Sequence, residues 1–229
     1  MLDSLDTPQG TNSLWKTEHE NSFAISLVAW WPSMIDIPIT GGGHGIGSNI
    51  ATSFAEHGVG HILLVVRAES RLLEAAERLS SVSARSVSYE VANLASEADI
   101  HRIFETLTLS PDILVNNAGG YMPTPEPLLS TNMSEYWSGF TINVLGTALL
   151  TQGCLSHHLK HGPIGATPAV VVTLNTTGAY GPRVPNLSAY LASKAALARW
   201  VKTVSADIDS QVARFIIRSP RGRRSRHVV

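Results

Sequence analysis

Tyr190 and Lys194 stand four residues apart in a stretch with helical periodicity, so their side chains share one face. An ammonium beside a phenol favours the phenolate and lowers a pKa that is ordinarily about 10. Such a phenol can give and take a proton near neutral pH. The spacing Y-x-x-x-K is common by chance, so its meaning depends on what else the chain carries. A second cluster, Thr40-Gly41-Gly42-Gly43-His44-Gly45-Ile46-Gly47, lies between a strand-like run and a helix-like stretch from Ser48 to His57. Glycines there permit a tight turn and let backbone N–H groups approach a pyrophosphate at a helix N-terminus. Gly41, Gly45, Ile46 and Gly47 are the candidate contacts. A P-loop is excluded, because Ile46-Gly47-Ser48 lacks the Lys that must precede Ser.

In a dinucleotide fold, a group about 20 residues beyond the glycines reads the adenine ribose. Here the apolar run His61–Val66 ends in Arg67, with no carboxylate to accept from a 2′-hydroxyl. A guanidinium at that place suits a 2′-phosphate, which favours NADP(H) over NAD(H). His157, His158 and His161 have helical spacing that raises a metal. No carboxylate or cysteine accompanies them in sequence, so they read as cations at a helix C-terminus, and no metal is expected.

These residues need elements to carry them. Apolar runs at 61–66 and 169–174 and shorter strand-like stretches at 86–91, 113–115 and 214–217 read as strands. Helical patterns occupy 70–79, 96–107, 133–158 and 188–208, the second opening on a capping box at Ser96-Glu97-Ala98-Asp99. Strands alternating with helices predict βαβ units, hence a doubly wound parallel sheet in three α/β/α layers, Rossmann-like. Ligands then bind beyond the carboxyl ends of the strands.

The 229 residues fit one α/β domain at 35–217, with an N-terminal extension at 1–34 and a basic tail at 218–229. Charged residues are 15% and the net charge is −1, which argues against charge-driven disorder and against nucleic-acid binding through bulk charge. Six Arg from Arg214 onward predict a solvated end, with attachment to nucleic acid or anionic lipid ranking well below. Cys154 is the single cysteine, so no disulfide forms within the chain, and a reducing, cytoplasmic setting is expected. The apolar run Phe23–Trp31 falls short of the roughly 20 residues that cross a bilayer. Asp3 and Asp6 stand where a signal peptide carries positive charge. Tyr136, Trp137 and Trp30-Trp31 read as packing aromatics.

The glycine run at 40–47, Asn116-Asn117-Ala118-Gly119 after a strand, Asn143, and Tyr190 with Lys194 occur in order. Together they resemble a classical short-chain dehydrogenase/reductase over about residues 35–217. The resemblance implies hydride transfer between NADP(H) and a small-molecule carbonyl or secondary alcohol. It implies that Tyr190 exchanges the substrate proton, that Lys194 lowers its pKa and holds the ribose hydroxyls, and that Asn143 maintains a water relay. Thr177 falls thirteen positions before Tyr190, where the family usually has Ser, and keeps the hydroxyl with a stiffer χ1. Asn117 falls near the nicotinamide-side ribose. Asn93 falls near the adenine, where the family usually has Asp. A homo-oligomer paired through the 133–158 and 188–208 helices is also implied.

Two departures stand out. Asp36 and Pro38 interrupt the first strand, which suggests an altered segment before Thr40. Pro220 is followed by Arg221 instead of the family's Gly, and the substrate-covering helices and last strand have no counterpart. The expectation is then either a shortened reductase of marginal stability or an impaired nucleotide-binding relative with a scaffolding or regulatory role.

Overall fold

In a computed structural model, residues 35–70, 75, 79, 86–107, 110–119, 127–162, 167–181 and 184–219 are described. The N-terminal extension with its apolar run, most of the 70–79 helix, and the tail from Pro220 lie outside them.

Among the described residues, six parallel strands are arranged in the order β3-β2-β1-β4-β5-β6. They are β1 Asp36–Thr40, β2 His61–Val66, β3 Ser86–Val91, β4 Ile113–Asn116, β5 Ala169–Leu174 and β6 Ala213–Arg218. The helices are α1 Gly45–Glu56, α2 Glu97–Thr106, α3 Met133–Phe140, α4 Thr147–His161 and α5 Ser188–Asp207. Side chains alternate across each strand, and the inner strands β1, β2, β4 and β5 are buried on both faces. Ile62 and Leu64 of β2 join Ala51 and Phe54 of α1 on one face. Leu63 and Val65 join Ile100, Ile103 and Leu150 of α2 and α4 on the other. This is the doubly wound fold that the alternating pattern predicts.

Local differences have physical causes. The predicted single helix over 133–158 is split by a π-helical segment, Thr141–Gly146, between α3 and α4. A wider turn of this kind lies within an otherwise continuous helical pattern, so periodicity alone does not reveal it. At α2, Ser96 Oγ accepts from Asp99 N–H at 3.2 Å, as a capping box requires. The reciprocal arm goes elsewhere, because the Asp99 carboxylate accepts from Asn93 N–H at 2.8 Å.

The suspected damage in β1 is absorbed, and β1 takes the centre of the sheet despite Asp36 and Pro38. The Asp36 N–H donates to Asp112 Oδ2 and the Asp36 carbonyl accepts from Asp112 N–H, both at 3.0 Å. Even-numbered residues of β1 therefore face β4, and the donor that Pro38 lacks falls in that seam. Pairing there is reduced to Ile39 with Val115, while β1 pairs with β2 from Asp36 to Thr40. The Asp36 carboxylate is 3.2 Å from His61 Nδ1, and His61 Nε2 is 2.7 Å from Ser88 Oγ.

The histidines of α4 do not cap its C-terminal carbonyls as expected. His157 Nε2 reaches the Leu107 carbonyl at 3.0 Å, and His158 Nδ1 reaches that of Pro111 at 2.9 Å, both in the α2–β4 connection. The expected packing role for Trp137 is also incomplete, since its ring meets Tyr136 and Phe140 yet remains 55% exposed. Among the described residues, no helix is long and apolar enough to cross a membrane.

Candidate active site

The carboxyl ends of β1, β2, β3 and β4 all lie at one edge of the sheet, and the predicted phosphate-binding residues gather there. Gly41 and Gly45 hold φ of +66° and +58°, the left-handed region that favours glycine. Gly47 is needed for a different reason. A Cβ on it would overlap Asn117 Nδ2 and the Gly41 carbonyl oxygen. Helix α1 begins at Gly45, earlier than the predicted Ser48, so Ile46 and Gly47 lie in its first turn. Backbone N–H groups of a first turn have no partner within the helix and suit an anion.

Asn117 is clasped to this loop. Its Nδ2 donates to the carbonyls of Thr40 at 2.9 Å and Gly41 at 3.3 Å. Thr40 Oγ1 accepts from Asn117 N–H and Ala118 N–H, both at 3.0 Å. Sequence reasoning missed Thr40 as the hydroxyl tying β1 to the end of β4. Its signal was its place directly before the glycines. Arg67 is exposed just past β2, one strand from the loop. Asn93 follows β3, where its Oδ1 accepts from Ala95 N–H at 3.1 Å.

The second cluster is built by α5 against the ends of β4 and β5. Lys194 is 4% exposed, and its Nζ donates to the Leu174 carbonyl at the end of β5, 3.1 Å away. Burial pushes the ammonium down to about 8. A Cβ on Gly119 would lie 3.2 Å from Lys194 Nζ and 3.3 Å from Asn143 Oδ1, so the glycine leaves open the space between them. Asn143, fully buried in the π segment, donates through Nδ2 to Ser193 Oγ at 2.8 Å. Ser193 Oγ in turn donates to the Tyr190 carbonyl at 2.8 Å. Asn175 Nδ2 donates to the Lys194 carbonyl at 3.1 Å, fastening α5 to the loop after β5. Tyr190 is half-buried one turn before Lys194, and Thr177 is exposed in the short turn Thr177–Ala179 beyond β5. Ser193 and Asn175 were not singled out from sequence. Both flank recognised residues, and only the fold shows what they hold.

A profile for the family described as short chain dehydrogenase matches residues 36–220. The chain belongs to the short-chain dehydrogenase family. Its similarity to a very-long-chain 3-oxoacyl-CoA reductase of Meyerozyma guilliermondii is 32% identity over 179 residues, 76% of this chain and 52% of that protein. A short chain dehydrogenase of Emericella variicolor is 30% identical over 204 residues, 86% of this chain and 67% of that one. The chain thus spans about half to two thirds of these relatives' lengths. Among solved structures, a short chain dehydrogenase of Shigella flexneri complexed with NADP shares the fold at a TM-score of 0.72. It is 22% identical and covers 81% of this chain and 76% of that one. An alcohol dehydrogenase of Thermococcus sibiricus complexed with 5-hydroxy-NADP matches at a TM-score of 0.69 and 22% identity, over 80% and 74% of the two chains.

Proposed function

We propose that this short-chain dehydrogenase moves hydride between NADP(H) and a carbonyl or secondary alcohol of a small molecule. The observation that carries the reading is the buried Lys194 ammonium, set beside Asn143 and the open side of Gly119, one helical turn from Tyr190. The glycine loop fits a dinucleotide, because a Cβ at Gly47 would fill the place where backbone must pass closely. When bound, the cofactor supplies or accepts the hydride.

In this reading the chain's own residues do the rest. Gly41, Gly45, Ile46 and Gly47 bring backbone to the pyrophosphate, while Asn117 keeps the loop in shape and borders the ribose. Asn93 lies toward the adenine, and Arg67 pairs with the 2′-phosphate. Tyr190 exchanges a proton with the substrate oxygen, and Thr177 orients that oxygen. Lys194 favours the phenolate and holds ribose hydroxyls, while Asn143 supports the water path to it. The complexes of the two NADP-bearing relatives favour NADP(H). Pairing with a second copy through α3–α4 and α5 and a cytoplasmic setting belong to the same proposal.

The test is turnover of NADPH and NADH with a panel of carbonyls that includes a 3-oxoacyl thioester, beside a binding titration. Turnover with NADPH that Tyr190→Phe abolishes is the expected result. Binding without any turnover would replace this reading with that of a scaffolding or regulatory relative.

A further inference from the structure

His157, His158 and His161 take no part in the site above and lie at the opposite edge of the sheet. His158 is committed, with Nδ1 at 2.9 Å from the Pro111 carbonyl and 3.1 Å from Ser110 Oγ. His157 differs. Its Nε2 lies 3.0 Å from the Leu107 carbonyl oxygen, which can only accept, so Nε2 carries the hydrogen. In the neutral ring, Nδ1 is then a bare lone pair. That atom is buried without a hydrogen-bond partner, in a residue only 8% exposed. A buried acceptor left in this state calls for a physical explanation, and an ion is one of the few.

The ring of His161, one helical turn on, lies against the ring of His157, with centroids 4.3 Å apart and planes inclined by 32°. A backbone carbonyl that fixes the tautomer of one imidazole, leaving its other nitrogen bare, is the usual support of a metal-binding histidine. A second imidazole at i+4 then completes a chelating pair on one helix face. We propose that His157 and His161 form a two-imidazole clip for a first-row divalent cation, with water filling the remaining positions. His161 is exposed in the last turn of α4, so its ring can rotate to open the pair without moving the core. The C-terminal end of a helix also favours a cation. Lys160, in the same last turn, opposes it by its charge. Among the described residues, no group of three or more His, Cys, Asp and Glu gathers to hold a metal, so the clip is drawn with these two imidazoles alone. For such a nitrogen pair, Cu²⁺ binds more tightly than Ni²⁺ or Zn²⁺.

The whole chain is titrated with Cu²⁺ and, separately, with Zn²⁺ by calorimetry, with electron paramagnetic resonance on the copper form. One equivalent with hyperfine coupling to two imidazole nitrogens is expected. His161→Ala, at an exposed position, should weaken binding by roughly tenfold or more while leaving metal-free unfolding unchanged. His157→Gln should do the same to binding, and any cost to folding is read separately in the absence of metal. Copper affinity and spectrum unchanged in His161→Ala, or no equivalent bound at millimolar metal, would overturn the proposal.

Discussion

The two edges of the sheet use similar residue types to opposite ends. At the amino edge, Asp36, His61 and Ser88 form a chain across three strands, and Asp112 closes it onto β1. Each polar group is occupied by a neighbour, so the chain straps β1, β2 and β3 together, while Asp112 ties β1 across the β4 seam weakened by Pro38. At the carboxyl edge, polar groups pack closely around glycines. Gly47 and Gly119 have no Cβ where one would meet Asn117, or Lys194 and Asn143. The lesson is that a charged or hydroxyl side chain does not mark a site. What marks it here is a polar group held in place by others and packed against a glycine where a side chain would collide.

The comparison breaks most decisively through Tyr190→Phe. Loss of a general acid/base is worth about 10²- to 10⁴-fold in kcat. Steady-state turnover should fall by that much, with NADPH affinity nearly unchanged. Ser88→Ala at the amino edge should leave kcat alone, and a comparable loss there would erase the distinction between the edges.

Next comes Gly47→Ala. The new Cβ overlaps the Asn117 amide and the Gly41 carbonyl, and overpacking of this kind costs about 1–3 kcal/mol. Differential scanning calorimetry should show a lower Tm, and titration should show NADPH binding lost. An unchanged Tm would mean that the loop can shift, contrary to its clasp by Asn117.

Arg67→Ala should remove a charge-assisted contact worth about 1.5–3 kcal/mol to NADPH and nothing to NADH. Equal affinities for the two cofactors in the unaltered chain would sharpen the comparison against any phosphate-reading role for Arg67.

The smallest effect over any one pH unit is in stability, and the two edges carry opposite signs. Lys194 is lowered to about 8 by burial, below its unfolded value of about 10.4. The unfolded chain therefore binds more protons between those values, and stability rises with pH across that window. Asp112 is raised above the ordinary carboxylate value, chiefly by burial. There the folded chain holds more protons, so stability falls as pH climbs from about 4 through its raised pKa. Chemical denaturation across pH should show both slopes. Lys194→Met should remove the alkaline one, and Asp112→Asn, which can still accept from Asp36 N–H, the acidic one.

The sequence by itself determined the doubly wound class, because buried parallel strands must be continuously apolar and alternate with helices. It also determined the glycine loop and the Tyr190–Lys194 face, since spacing alone puts four-apart residues on one side of a helix. Even the N-cap at Ser96 was legible, because it depends on residues within one turn. Tertiary structure decided the rest, wherever a role depends on a partner far away in the chain. Pro38 in a central strand reads as damage until Asp112, 76 residues from Asp36, supplies the missing tie. Asn143 gained its place from a π segment and from Ser193, 50 residues on, which helical periodicity does not encode. Asn117 was expected beside the nicotinamide-side ribose, and only the fold shows that its amide nitrogen also holds the loop. The three histidines of α4 looked alike by spacing. Only packing against the α2–β4 connection occupies one ring of His158 and leaves the buried Nδ1 of His157 bare, because burial and hydrogen-bond supply are set by neighbours in space.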